Sequence, residues 1–94
     1  MAYVIITLKV MPSTPEINLE ELESKVKLSL SEFLKKENIE TKSEIKPVAF
    51  GLNSLDLTFA MDENLGSADP FAELVSEFEE VASAEVTEAR RALG

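Results

Sequence analysis

Between residues 54 and 61 the chain reads SLDLTFAM, and no other stretch constrains the fold as tightly. Leu55, Leu57, Phe59 and Met61 alternate with Ser54, Asp56, Thr58 and Ala60. That period of two places all four large apolar side chains on one face of a strand. Residues 3 to 11 repeat the pattern, with Val4, Ile6, Leu8 and Val10 alternating with Tyr3, Ile5, Thr7 and Lys9. Both stretches carry the apolar content of central strands. A sheet built on them needs a packed layer over its apolar face.

Two further segments supply that layer. Pro12 and Pro15 end the first strand, and Asn18 then stands where a helix N-cap belongs. Glu21 completes a capping box, and Ile17 and Leu22 occupy the positions of a hydrophobic staple. Leu19, Leu22, Val26, Leu30, Phe33 and Leu34 recur at helical spacing, leaving Glu20, Glu23, Lys27 and Glu37 to water, so a helix is expected from about 19 to 37. A second amphipathic helix is expected after the connector DENLGSAD, with Asp69 as N-cap, Pro70 at the first helical position, and Phe71, Leu74, Val75, Phe78 and Val81 on its apolar side.

The remaining segments read as edges. Residues 39 to 49 set Thr41, Ser43 and Ile45 against Glu40, Lys42, Glu44 and Lys46 and include Pro47, and charge and proline belong on an edge strand. Residues 84 to 91, with Val86, Thr87 and Ala89 among charges, form a second edge. The order β-α-β-β-α-β predicts an α+β, ferredoxin-like sandwich. Its four-stranded antiparallel sheet carries two helices on one face and has the first and third strands inside.

Composition removes most chemistries. The 94 residues suit one domain near the size where stability is thin. Eighteen acidic against nine basic side chains give a net charge of −9, which opposes phosphate backbones and anionic lipid, so neither direct nucleic-acid binding nor membrane attachment is expected. Cysteine and histidine are absent, and with them any disulfide, zinc site, thiol nucleophile or imidazole base. MAYVII has no basic leader and no run approaches the roughly 18 apolar residues of a membrane span, which points to a cytoplasmic protein. Among 15 glutamates, pairs at helical spacing arise by chance, and Glu77, Glu79 and Glu80 read as a solvated helix face. Gly51, Gly66 and Gly94 lie too far apart for a phosphate-binding loop. An RNA-binding reading of the fold fails because Phe59 shares its face with Leu55 and Leu57 and belongs to the core. No catalytic residue, cofactor or metal site is expected.

Two features stay unabsorbed. Phe50 and Gly51, within KPVAFGL, fall at the bend between the second and third strands, where polar residues are usual; Phe50 either caps the core or anchors a partner. Arg90 and Arg91, the chain's two arginines, close the last strand. In this topology bend and terminus lie at opposite ends of the sheet, separated by roughly 25 to 30 Å for strands of eight or nine residues. A small molecule cannot touch both ends; a protein can.

The strand running into KVMP, the acidic helix start, KPVAFGL and the closing VASAEVTEARRAL occur in an order and spacing that resemble the archaeal-type elongation factor 1-beta family. They also resemble the C-terminal exchange domain of the eukaryotic beta subunit. The resemblance implies a non-enzymatic guanine nucleotide exchange factor whose partner is elongation factor 1-alpha. It also implies partner-binding roles for Phe50, Gly51, Arg90 and Arg91. Phe50 would contact a domain of the GTPase away from the nucleotide, with Gly51 permitting a tight bend. The family's C-terminal basic residue is best matched by Arg91, with Arg90 one register away, and would reach toward the magnesium and phosphates. The chain departs from its eukaryotic relatives at Asn53 and Ser54, where they carry lysines, and in the Ala92, Leu93 and Gly94 that follow the arginines. The eukaryotic N-terminal scaffold has no counterpart here, so a free, monomeric exchange domain is expected. The contrasting reading is a ferredoxin-like ligand-binding or regulatory module without a GTPase partner.

Overall fold

A computed structural model describes residues 3–36, 39–49 and 51–92. The elements run β1 (Tyr3–Pro12), α1 (Leu19–Leu34), β2 (Thr41–Pro47), β3 (Asn53–Asp62), α2 (Asp69–Ser76) and β4 (Val81–Ala92), with a single 3₁₀ turn at Glu63–Leu65 between β3 and α2. The sheet order is β2-β3-β1-β4 with every neighbouring pair antiparallel, so the two strands of strongest alternation lie inside. This is the ferredoxin-like α+β arrangement expected.

The register joins the apolar rows. Ile6 lies opposite Phe59, Leu8 opposite Leu57 and Val10 opposite Leu55, which fuses them into one apolar surface. Over it α1 lays Leu22, Val26, Leu30 and Leu34, and α2 lays Phe71, Ala72 and Val75, all buried. Phe71 is the central contact. Its ring stacks on Phe33 at 5.5 Å between centroids and meets Phe59 edge-on at 5.7 Å, tying both helices and the sheet together.

Local chemistry sets the helix ends. The Asn18 side-chain oxygen accepts hydrogen bonds from the amides of Glu20 (2.9 Å) and Glu21 (3.3 Å), a cap contributing about 1 kcal/mol. At the other end Lys35 adopts a left-handed φ of 56° and its amide donates to the Ser31 carbonyl, so α1 stops at Leu34 rather than near residue 37; Glu37 lies outside the described residues.

The second helix departs from expectation at both ends. Asp69 is not its N-cap. Ala68 holds that position, the Ser67 hydroxyl accepts from the Asp69 amide (3.0 Å), and the Asp69 carboxylate sits in the first turn, where the helix dipole favours it. The helix then ends at Ser76, because the amides of Glu77 and Phe78 turn back to the carbonyls of Leu74 and Val75 over shorter spans, and the Val81 amide donates to Phe78. Phe78 therefore lies in a turn and Val81 opens β4, both still facing the core, which is why the helical spacing ran past the helix. Leu74 is 41% exposed and lies off the core. Glu77, Glu79 and Glu80 sit on this turn, not on a helix face, and Glu80 forms an ion pair with Lys25 of α1 at 3.1 Å.

The last strand is irregular. Its register against β1 shifts twice, leaving Thr87 and Ala82 as extra residues. Bulges of this kind bend an edge strand and make it a poor template for pairing with another chain.

Candidate functional site

At one end of the sheet the β2–β3 hairpin projects past the strand it shares with β1. The Val48 amide donates to the Leu52 carbonyl and the Leu52 amide to the Ala49 carbonyl, each at 2.9 Å, closing a four-residue turn with Gly51 in its third position. Gly51 has φ +78°, the left-handed value that a type II turn requires there and that a side chain disfavours. A Cβ on Gly51 would meet nothing within 4 Å, so backbone torsion rather than space selects glycine. Phe50 itself lies outside the described residues. The described part of this arm carries exposed apolar side chains: Ile45 is 51% and Val48 45% exposed.

The adjacent departures from the eukaryotic pattern differ from each other. Asn53 is exposed, whereas Ser54 is 1% exposed, with its hydroxyl 3.2 Å from the Asp56 carboxylate and 3.5 Å from the Lys46 carbonyl.

At the other end of the sheet the two arginines separate. Arg91 lies opposite Val4, on the face shared with Ile6, Leu8 and Val10, whereas Arg90 lies opposite Ile5 on the open face. The Thr87 bulge sets this assignment, since one extra residue reverses the facing of everything beyond it relative to unbroken alternation. The pair is adjacent in sequence but does not form one cationic patch. Arg90 Nε stands 3.6 Å from a Glu88 carboxylate oxygen. Arg91 donates to Oε2 of Glu63 from both Nε (3.1 Å) and Nη2 (2.6 Å).

Nothing in the sequence reading singled out Glu63. It opens the 3₁₀ turn after β3, where Asp62 caps the turn by accepting from the Asn64 amide (2.9 Å) and Gly66, at φ +85°, closes it by donating to the Glu63 carbonyl (3.1 Å). The D-x-N and following glycine are the signal that could have placed a tight turn there. Its proximity to Arg91 depends on long-range register and had no local signal.

Hairpin and arginine end are far apart. Asn53, at the foot of the turn, and Met61, level with Val4 and Arg91, are eight residues apart on β3, or about 26 Å at 3.3 Å per residue. Between them the open face carries Thr7, Lys42, Glu44, Lys46, Asp56, Thr58 and Glu88 around a shallow depression of about 170 Å³. Its charges are mutually compensated, with Lys46 3.5 Å from Glu44 and 3.6 Å from Asp56, and the Thr7 and Thr58 hydroxyls are 3.1 Å apart. Among the described residues, no group of three or more acidic side chains is placed to hold a metal ion. The Gly51 turn and Arg91 thus stand at opposite ends of the sheet.

Comparison with known proteins gives that arrangement its context. The EF-1 guanine nucleotide exchange domain matches residues 5–92, from β1 to the end of β4, and so takes in both ends. The chain belongs to this family. Elongation factor 1-beta of Methanococcus vannielii is 42% identical over 89 residues, covering 94% of this chain and 96% of that protein. The elongation factor 1-beta of Methanobrevibacter smithii is 34% identical over 94 residues (97% and 98%), and that of Nanoarchaeum equitans 35% over 85 residues (90% and 100%). Guanine nucleotide exchange is the function of the exchange domain, and a module without a GTPase partner is not favoured.

Proposed function

We propose that the protein promotes GDP-for-GTP exchange on elongation factor 1-alpha by engaging the GTPase with both ends of the sheet at once. The observation that carries this reading is the family match running unbroken through both ends, which lie about 26 Å apart on β3. Phe50, which precedes Gly51 in the sequence, is the anchor on a domain away from the nucleotide, and exposed Ile45 and Val48 of the same hairpin support an apolar contact there; buried aromatic contacts of this kind dominate interface energetics. Arg91 is the cation that approaches the magnesium and phosphate region, and Arg90, on the opposite face, contacts the GTPase beside it.

No covalent step is needed. An exchange factor that binds the nucleotide-free GTPase more tightly than the GDP form lowers GDP affinity by the same factor, as reciprocity of binding requires. A guanidinium brought to where Mg²⁺ sits competes with the ion that clamps the phosphates. The protein acts in this reading as a single-domain, cytoplasmic monomer without catalytic residues, touching neither nucleic acid nor membrane. Its net charge of −9 supports this, and no helix among the described residues is long and apolar enough to cross a membrane.

Release of labelled GDP, followed for the wild type, Arg90→Ala and Arg91→Ala with parallel binding to nucleotide-free GTPase, tests the assignment. Arg91→Ala is expected to slow exchange far more than it weakens binding. A larger defect for Arg90→Ala would move the role to the open face, and equal rates for all three would leave docking without cation insertion.

A further inference from the structure

The Arg91 guanidinium is already engaged in the free protein. Two of its nitrogens donate to one oxygen of Glu63, the shorter contact at 2.6 Å falling at the charge-assisted end of hydrogen-bond lengths. The partners are unequal in freedom. The Glu63 side chain is 34% exposed, on a turn whose backbone is fixed on one side by the Asp62 cap and on the other by the Gly66 amide. The Arg91 side chain is 70% exposed and sits near the end of an edge strand, free to swing about its own long stem. Glu63 makes no ion pair with any other cation among the described residues.

We infer that Glu63 is a latch: it holds Arg91 against the 3₁₀ turn, and release of that ion pair precedes insertion of the guanidinium into the GTPase. The inference rests on the role of Arg91 proposed above. A guanidinium whose Nε and Nη2 are committed to a carboxylate cannot present the same edge to phosphate oxygens, so the two anions compete for one fork of donors. A di- or triphosphate brings more charge and more acceptor oxygens to that fork than one carboxylate, so it can displace Glu63 once the complex has formed. Glu63 therefore lowers the fraction of Arg91 free to insert, and with it the maximal rate of exchange. Glu63 acts through Arg91 and is a positioning residue.

The size of the effect follows from exposure. Surface ion pairs of this kind shift equilibria by up to about fivefold, so removing the carboxylate charge is expected to raise the maximal exchange rate about two- to fivefold. The test compares wild type, Glu63→Gln, Arg91→Ala and the double variant. GDP release from elongation factor 1-alpha is measured against exchange-factor concentration to separate maximal rate from half-saturation. In parallel, ¹⁵N spectra of the free protein follow the Arg91 Nε–H, and thermal unfolding confirms that each variant folds. Expected are a faster maximal rate for Glu63→Gln with unchanged half-saturation, no effect of Glu63→Gln in the Arg91→Ala background, and a solvent-protected Arg91 Nε–H in the wild type that loses protection in Glu63→Gln. An unchanged or slower Glu63→Gln, or the same gain without Arg91, overturns the latch while a slow Arg91→Ala leaves the parent reading standing. Wild-type exchange by Arg91→Ala overturns the parent reading, and the latch with it.

Discussion

Replacing Phe71 by alanine tests whether one core holds both contact regions in fixed relation. Phe71 is fully buried, stacks on Phe33 and meets Phe59 edge-on, so its truncation removes a ring from α2 and leaves a cavity facing α1 and β3. Phenylalanine-to-alanine changes in cores cost about 3 to 5 kcal/mol, and the loss of two aromatic pairs places this one near the top of that range. Against a total stability of about 5 to 14 kcal/mol for a 94-residue chain, the variant keeps at best about two-thirds of its stability. At about 4 to 8 °C per kcal/mol the melting temperature falls by roughly 20 to 40 °C. An eight-residue helix has no stability of its own, and α2 leads within five residues into the strand that carries Arg91. Below its melting point the variant should therefore lose exchange activity at the arginine end before it loses docking through the hairpin. Urea denaturation by circular dichroism gives the free energy, and GDP release with parallel binding gives the order of loss. A cost below about 2 kcal/mol, or docking lost before exchange, would refute the reasoning that Phe71 clamps α2 and β4 to the sheet.

Two other perturbations separate surface roles from core roles. Phe50→Ala is expected to leave folding intact and to weaken binding to elongation factor 1-alpha by about 2 kcal/mol or more; collapse of thermal stability with normal affinity of the folded fraction would make Phe50 a core residue. The Ser43 hydroxyl on β2, and to a lesser degree Lys27, hold the Glu23 carboxyl below the ordinary value of 4.5. A depressed carboxylate stabilises the fold above the unfolded value and loses that contribution as pH falls through the lower folded one, so Glu23→Gln is expected to flatten stability slightly below pH 4.5. Identical acid unfolding of variant and wild type would remove Glu23 as a link between α1 and β2.

The sheet was legible because its evidence is local. Alternation in β1 and β3 specifies both the strands and the face they bury, and charge plus Pro47 marks β2 as an edge whatever the rest of the chain does. The end of α2 was not legible, since Phe78 in a turn and Val81 in a strand keep the spacing of a helix stripe while facing the same core. The bulge at Thr87 is harder still: it has no compositional mark, arises from the fit of β4 against β1, and decides that Arg91 rather than Arg90 shares the face of Val4. Of the site, the Gly51 turn could be anticipated from residue chemistry. The Arg91–Glu63 contact joins residues 28 positions apart and could not.

The central claim is that this chain, used in catalytic amounts, empties the nucleotide site of elongation factor 1-alpha. Stopped-flow release of a fluorescent GDP from the cognate GTPase, with excess unlabelled nucleotide and substoichiometric exchange factor, measures that directly. The expected release rate rises with exchange-factor concentration to a plateau, with each molecule of exchange factor turning over many molecules of GTPase. Release at the intrinsic rate under saturating protein would contradict it.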